Sequence, residues 1–565
     1  MVVLFENRRS LIKEKMFIVT AALPYCNAKL HVGHLRSTYL PADIYARFLK
    51  SKGYTAFYVC GSDCHGTPIL VRAIQEQKKP EEIVEYYHNI IKQQLEDSLI
   101  HFDIYSKTFN PNHYKMTQEF YERIRKNGYT YKEKVQSLYC PNCKMVLPDR
   151  LVRGTCPYCG AENQYGDYCE VCGRTYTPLQ LRNPRCGICG NTDLEIKELN
   201  HVFFRLSELL NPVKKWLESA KVTEGAKKYA LNWIKEGLRD WDISRSINWG
   251  VPIPGEKNLV FYVWFDAPIG YITFTKELFE SLGKDWRKIW IEGEGYIVHF
   301  IGKDIIYHHL IFWPGMLIAA EFALPNEIRV RGFATLEGKK MSKSRRWYIL
   351  LDEFFSFFDP EYLRWYWTTT TSESLSDGDF SFRTLEEKVN NVLIATIGNF
   401  IHRILSLIKR GNIRNGTLIA NAISKAQAII NDTLQLYHTN QFDKAAEKII
   451  TLAGFGNELL GKTEPWRNLS TKTAHDVLFT CFAFILALNM LIDPILPRSA
   501  RRLSEILQLE QKPHLSDIDK VFDSSYIKVI LEQFVEQGKP FILFRKISRQ
   551  RIQELLTLLK RRAKA

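Results

Sequence analysis

The chain has 565 residues, 45% of them hydrophobic and 25% charged, with Lys and Arg outnumbering Asp and Glu by 77 to 62. That length exceeds what one hydrophobic core serves, so roughly three or four domains are expected. No apolar run approaches the ~20 residues that cross a bilayer, and Met1–Lys15, short and of mixed charge, does not read as a signal peptide. The surplus of positive charge suits a polyanionic partner such as nucleic acid, although a generally basic composition accounts for it equally.

Met16–Ala22 is a β-rich run ending at Leu23-Pro24; a helical pattern follows from about Leu30 to Ser51, then a second β-rich run, Tyr54–Cys60, closes in Gly61-Ser62-Asp63. Strand, helix and strand at this spacing predict a βαβ unit and a parallel sheet. Charged helical segments are expected from about Pro80 to Asn127. A stretch dense in Cys, Gly and Pro then interrupts the pattern between Tyr139 and Thr192. Strand signals return at Asn258–Trp264, Tyr296–Gly302 and Glu327–Phe333. Beyond Leu385 the chain reads as amphipathic helices, with one further β-rich run at Phe541–Phe544. Its most apolar stretch, Val477–Ile492, reads as a buried helix because Cys481 and Asn489 break it. The fold class expected is α/β: a Rossmann-like parallel sheet split by a large insertion, followed by an all-α helix bundle.

Two short motifs bear on phosphate chemistry. His31-Val32-Gly33-His34 opens the first helix just after the first strand. Gly33 allows close approach to the backbone there, and the helix N-terminus offers free N–H groups and partial positive charge. Two imidazoles can donate to phosphate oxygens as charge shifts. Lys340-Met341-Ser342-Lys343-Ser344 comes after a strand and Gly338, and two mobile ammonium groups on a loop suit a leaving pyrophosphate. Each motif alone is weak. In this order, flanking a split parallel sheet, they resemble the signature of class I aminoacyl-tRNA synthetases.

That resemblance implies attack of an amino-acid carboxylate on the α-phosphate of ATP, release of pyrophosphate, and transfer of the aminoacyl group to the 3′-terminal ribose of tRNA. His31, Gly33, His34, Gly302, Asp304, Lys340, Ser342 and Lys343 would contact ATP or pyrophosphate, with His31, His34, Lys340 and Lys343 assisting catalysis. Mg²⁺ would arrive with ATP.

Three further segments resemble the methionyl-tRNA synthetase family: Ala21–Tyr25, Tyr262–Tyr271, and His299–Asp304 running on through His308-His309 to Phe312-Trp313-Pro314. All three are expected at strand ends, where open α/β sheets bind ligands. The resemblance implies a methionine pocket of Leu23, Tyr25, Trp264, Ala267, Pro268, Tyr271, Ile305 and His309, with Asp63 on the α-ammonium. Aromatic walls suit a thioether, which Tyr25 and His309 can hydrogen-bond. Leucyl, isoleucyl and valyl enzymes share the class motifs but resemble the chain less, and they carry a long editing insertion. A cysteinyl enzyme needs a zinc ligand set in the amino-acid pocket, for which Cys26 and Cys60 are the available thiols.

Eight of the twelve cysteines form four C-x-x-C pairs: Cys140/Cys143, Cys156/Cys159, Cys169/Cys172 and Cys186/Cys189. Four thiolates around one metal is the structural zinc arrangement, so two sites are expected. Such clusters in a chain without a secretory leader point to the cytoplasm. Spacing leaves nested and sequential pairings open. The segment Gly154–Gly173 resembles the family's single knuckle, which implies Cys156, Cys159, Cys169 and Cys172 for one zinc and Cys140, Cys143, Cys186 and Cys189 for the other. Zinc ribbons with positive charge also describe a non-enzymatic nucleic-acid-binding protein, but that reading leaves the phosphate motifs unexplained.

In the helical part the resemblance implies that Asn399, Arg403 and Trp466 read the anticodon of tRNA(Met). Asn399 and Arg403 stand i, i+4 and share a helix face. The domains expected are an extension at 1–15, the sheet's halves at 16–125 and 256–336, the insertion at 126–255 with its knuckles at about 139–192, a loop and stem-contact region at 337–385, and the anticodon bundle at 386–565. The family usually continues its lysine motif with Arg-Gly, whereas this chain has Arg345-Arg346-Trp347. The chain stops soon after Arg562 with no appended oligonucleotide-binding segment, so a monomer is expected.

Overall fold

The computed structural model describes residues 16–166, 169, 171–172, 174, 176–341 and 346–564. The extension expected at 1–15 and the residues Ser342, Lys343 and Ser344 lie outside these.

A six-stranded parallel sheet forms the centre. Its strands are β1 (Phe17–Ala21), β2 (Ala56–Ser62), β3 (Ile104–Lys107), β4 (Lys221–Val222), β5 (Tyr296–Gly302) and β6 (Glu327–Arg331), in the order β4-β6-β5-β1-β2-β3. β1 is buried at every position, as a strand covered by helices on both faces must be. It pairs with β2 on one side (Phe17 with Ala56) and β5 on the other (Phe17 with Tyr296). The chain therefore leaves β1 toward one flank and returns to the other, which opens a crevice beyond the carboxyl ends of β1 and β5. The helix entering α1 (Leu40–Ser51) begins at that crevice, at Val32.

Three strand expectations are corrected. β3 lies inside the stretch read as helical; it has four half-buried residues at the sheet edge, too few to leave a periodic pattern. Asn258–Trp264 yields only Val260–Phe261, which pairs with Ser244–Arg245 outside the main sheet, and from Val263 the aromatic run becomes the helix α2 (Val263–Ser281). Packing overrides β-propensity there, since most of α2 is buried. Phe541–Phe544 forms no strand; Leu543 and Phe544 are buried in irregular chain.

The insertion rises on an antiparallel ribbon, Thr130–Cys140 against Glu195–Phe204, with the knuckles beyond its far end. β4 lies within the stretch expected to be insertion, so the chain touches the main sheet again before the second half begins.

The helical part includes α3 (Asn399–Gly411) and α4 (Lys472–Ile492). Two stretches, Phe382–Gly411 and Lys472–Ile492, are long and apolar enough to cross a membrane, which corrects the expectation that no run approaches that length. In α4 every residue from Val477 to Ile492 is buried in the bundle. α3 turns Phe400, Ile401 and Ile404 inward and leaves Asn399 exposed.

A buried ion pair ties the sheet's first half to the bundle. Arg364 and Asp43 are both fully buried and 2.8 Å apart. The same guanidinium donates to the carbonyls of Leu99, Pro494 and Ile495. Asp43→Ala strands this cation without its counter-charge, so a loss of about 3–5 kcal/mol is expected in urea denaturation. Lys29→Ala, which removes an exposed pair with Asp352, should change stability by less than about 1 kcal/mol.

Candidate active site and metal centres

The crevice holds a cavity of about 640 Å³. At one end, His31 caps the helix with its ring, accepting from the Gly33 N–H at 3.2 Å, while its own N–H donates to His34 Nδ1 at 3.0 Å. The two imidazoles pack 3.8 Å apart. The bareness of Gly33 serves the protein as well as any ligand: a Cβ there would lie 2.8 Å from the Cβ of Ala334. Across the opening, Thr335 pairs with Lys340, which lines the cavity. Lys343 and Ser342 lie outside the described residues. Gly302 and Asp304 line the same space at the end of β5.

The segment after the lysine loop binds directly to the first motif. Val32 N–H donates to Ile349 O and Leu351 N–H to Leu30 O, with His31 bridging Leu350. Arg346, where the family has glycine, adopts φ +51°. A residue with a side chain thus occupies a left-handed turn, a conformation that glycine adopts at less cost. Trp347 fixes the exit of that turn by donating to Leu336 O at 2.9 Å.

At the other end of the cavity stand Leu23, Tyr25, Asp63, Trp264, Ala267, Pro268, Tyr271, Ile305 and His309. Tyr25 and Asp63 are backbone neighbours, through Asp63 N–H to Pro24 O and Cys26 N–H to Asp63 O. Burial, and next Asp266, push the Asp63 carboxyl well above the usual range. His309 differs from its expected use. Its Nδ1 faces the Ile305 carbonyl at 3.2 Å and must carry the proton, so Nε2 accepts from the Tyr271 hydroxyl at 3.0 Å. Burial holds the ring neutral, its pKa down to about 4, and no proton remains for a thioether.

Sequence reasoning missed His308, which also lines the cavity and stacks on Trp264 at 4.0 Å. Its neighbour His309 drew attention away from it, and α-helical spacing would have set the two on different faces. Asp377, held by Lys303 at 2.6 Å, was missed as well. Cys26 and Cys60 do not line the cavity: Cys26 faces Cys64 at 3.7 Å, and Cys60 faces the Ala21 carbonyl.

In the insertion, the sulfurs of Cys140, Cys143, Cys186 and Cys189 gather within 4.8 Å of one another, as do those of Cys156, Cys159, Cys169 and Cys172. Sulfur–sulfur separations of 3.5 to 3.8 Å across the pairs are far too long for disulfides. They match the edge of about 3.8 Å that a Zn–S bond of about 2.3 Å imposes on a tetrahedron. The grouping is the nested one.

In the bundle, Asn399 and Arg403 share a face of α3, and the Arg403 guanidinium lies 5.3 Å from the centre of the Trp466 ring. Trp466 stands in the short helical turn Pro465–Arg467.

A family model described as class I tRNA synthetases (M) matches residues 17–405, and one for the anticodon binding domain of methionyl tRNA ligase matches 414–559. The chain is 43% identical to the methionine–tRNA ligase of Methanopyrus kandleri, over 96% of this chain and 81% of that one. It is 42% identical to that of Methanocaldococcus jannaschii, over 95% and 80%. Its fold is similar to that of Mycobacterium tuberculosis methionyl-tRNA synthetase in complex with methionyl-adenylate, with a TM-score of 0.74 and 22% identity over 89% of this chain and 96% of that one.

Fold and sequence together define a class I aminoacyl-tRNA synthetase. Within that class the chain belongs to the methionine–tRNA ligase family, whose members activate methionine with ATP and pass it to tRNA. The leucyl, isoleucyl, valyl and cysteinyl alternatives, and the zinc-ribbon binding protein, fall away.

Gly33→Ala would press its methyl into Ala334, so ATP–pyrophosphate exchange should fall about ten- to a hundredfold. Ala334→Gly in the same chain should recover most of that loss.

Proposed function

We propose that the cavity is divided between methionine and ATP, with Asp63 holding the methionine ammonium. In this reading Leu23, Tyr25, Trp264, Ala267, Pro268, Tyr271, Ile305 and His309 enclose the side chain. His31, Gly33, His34, Gly302, Asp304, Lys340, Ser342 and Lys343 receive ATP. The observation that carries it is that every described member of both sets lines one cavity. The methionine carboxylate attacks the α-phosphorus, and the bond to pyrophosphate breaks as Lys340 and Lys343 neutralise the departing charge. The acidic residues of the lining, Asp63, Asp304 and Asp377, do not form a carboxylate cage, which suits Mg²⁺ entering with ATP.

Each knuckle would hold one zinc through four thiolates. A site closed by four protein ligands stiffens the insertion and takes no part in the chemistry. Residues 126–255 then serve the acceptor end of tRNA(Met), 16–125 and 256–336 the catalytic sheet, 337–385 the lysine loop and acceptor stem, and 386–565 the anticodon through Asn399, Arg403 and Trp466. Residues 1–15 are left as an extension without a role. A cytoplasmic location, without a membrane, suits the eight thiols grouped for metal rather than oxidised.

Exchange measured across the twenty amino acids tests the division of the cavity: methionine alone should support it at high rate. Trp466→Ala should lose aminoacylation far more than adenylate formation, and equal loss of both would sink the anticodon assignment. Native mass spectrometry should find two zinc ions per chain. Cys143→Ser and Cys172→Ser should each remove one, and the double variant both.

A further inference from the structure

The segment that leaves the lysine loop is gripped by a side chain that no role above uses, Arg562 of the helix Arg549–Lys564. That helix turns Ile552, Leu555 and Leu559 inward at helical spacing, which seats it in the core shared with Leu351 and Phe354. Arg551 donates to the Phe357 carbonyl at 2.8 Å, at one end of the helix Leu351–Phe357, and Arg562 reaches Glu353 near its other end. The two helices therefore run antiparallel, and this course brings Arg562 beside the residues that follow the loop.

One guanidinium there touches three residues of the exit segment. Arg562 Nη1 donates to Glu353 Oε1 at 2.6 Å, its Nε faces the Arg346 carbonyl at 3.4 Å, and its centre lies 4.3 Å from the middle of the Tyr348 ring. Glu353 uses its other oxygen, Oε2, to accept the Leu350 N–H at 2.9 Å, which caps the helix that starts there. Leu350 is in turn the residue whose backbone pairs with His31. Arg562, Glu353, Leu350 and His31 thus form a continuous chain of contacts from the end of the bundle to the first motif.

A glutamate at a helix start has several rotamers, and only some of them reach back to the backbone. Pairing its second oxygen with Arg562 selects the rotamer that caps. The guanidinium is itself steadied against the face of Tyr348. Both partners are partly covered, Arg562 at 23% and Glu353 at 34% side-chain exposure. The pair Arg549–Glu386 at the start of the same helix differs, since Arg549 is 88% exposed.

We infer that Arg562 is a positioning residue for ATP: through Glu353 and the Leu350 backbone it holds the first motif where the phosphates are received. The helix Arg549–Lys564 thereby contributes to adenylate formation without touching a substrate. The inference rests on the reading that His31, Gly33 and His34 receive ATP. What Arg562 supplies is alignment, so its loss slows the reaction and leaves the methionine end of the cavity as it was.

ATP–pyrophosphate exchange by the full-length protein, measured without tRNA, tests this, because no tRNA contact can then account for a loss. Arg562→Ala should lower kcat about tenfold, with KM for methionine and the urea midpoint unchanged. Arg562→Lys, which keeps a cation for Glu353, should recover most of that loss. Glu353→Gln retains an oxygen for the Leu350 N–H but no charge for Arg562. It should fall by a similar factor, and the double variant Glu353→Gln/Arg562→Ala no further. Arg549→Ala should leave exchange as it is. Unaltered kcat in Arg562→Ala, losses that multiply in the double variant, or a rate that falls only as the urea midpoint falls overturns the positioning role. So does a loss confined to aminoacylation, which assigns the helix to tRNA instead. If Arg562→Ala does not fold, Glu353→Gln breaks the same pair and decides. His34→Ala separates the two claims: unaltered exchange there overturns the reading of the motif, whereas lost exchange beside an unaltered Arg562→Ala overturns the positioning role alone.

Discussion

Main-chain hydrogen bonds between Leu30–Val32 and Ile349–Leu351 join the His31–His34 segment to the exit of the lysine loop, two segments at opposite ends of the catalytic part. The first motif is thereby held against the exit of the lysine loop, while Ala334 and Lys340 face it from the loop's entry. Gly33 is required by the same seam, because the second half of the chain packs where its side chain would be. Arg346 takes a left-handed turn without glycine, and Trp347 just beyond it donates to Leu336 O.

The end of the cavity lined by Tyr25 and Asp63 depends on the seam between β1 and β2 instead. Tyr25 comes after one strand and Asp63 ends the other, and their backbone pairing sets a hydroxyl and a carboxylate on the same wall. α2 closes the far side with Trp264, Ala267, Pro268 and Tyr271. Tyr271 and the Ile305 carbonyl use both nitrogens of His309, so a histidine that looked available for sulfur is instead a fixed, neutral part of the wall. The insertion's thiols gather at the far end of a ribbon built outside the main sheet.

Much of this was legible in residue order. The strands β1 and β5 are expected from runs rich in apolar and β-branched residues, and the four C-x-x-C pairs predict through spacing which thiols gather. β3 was not legible, because four half-covered residues at an edge carry no periodicity. Asn258–Trp264 misled because its aromatic and β-branched residues favour a strand, whereas Val263 and Trp264 already belong to a helix that is mostly buried. His308 was passed over because a π-type turn at His308–Phe312 brings it to the cavity beside His309.

Sequence by itself determined which thiols gather, through their spacing, and by family resemblance the class of protein and the amino acid it activates. Tertiary structure alone decided the tautomer of His309 and the meeting of His65 with Asp266, and it gathers the thiols in the nested grouping that the family resemblance implied. Those depend on which distant side chains meet in a dry interior, where one hydrogen-bond partner or one like charge determines where a proton resides.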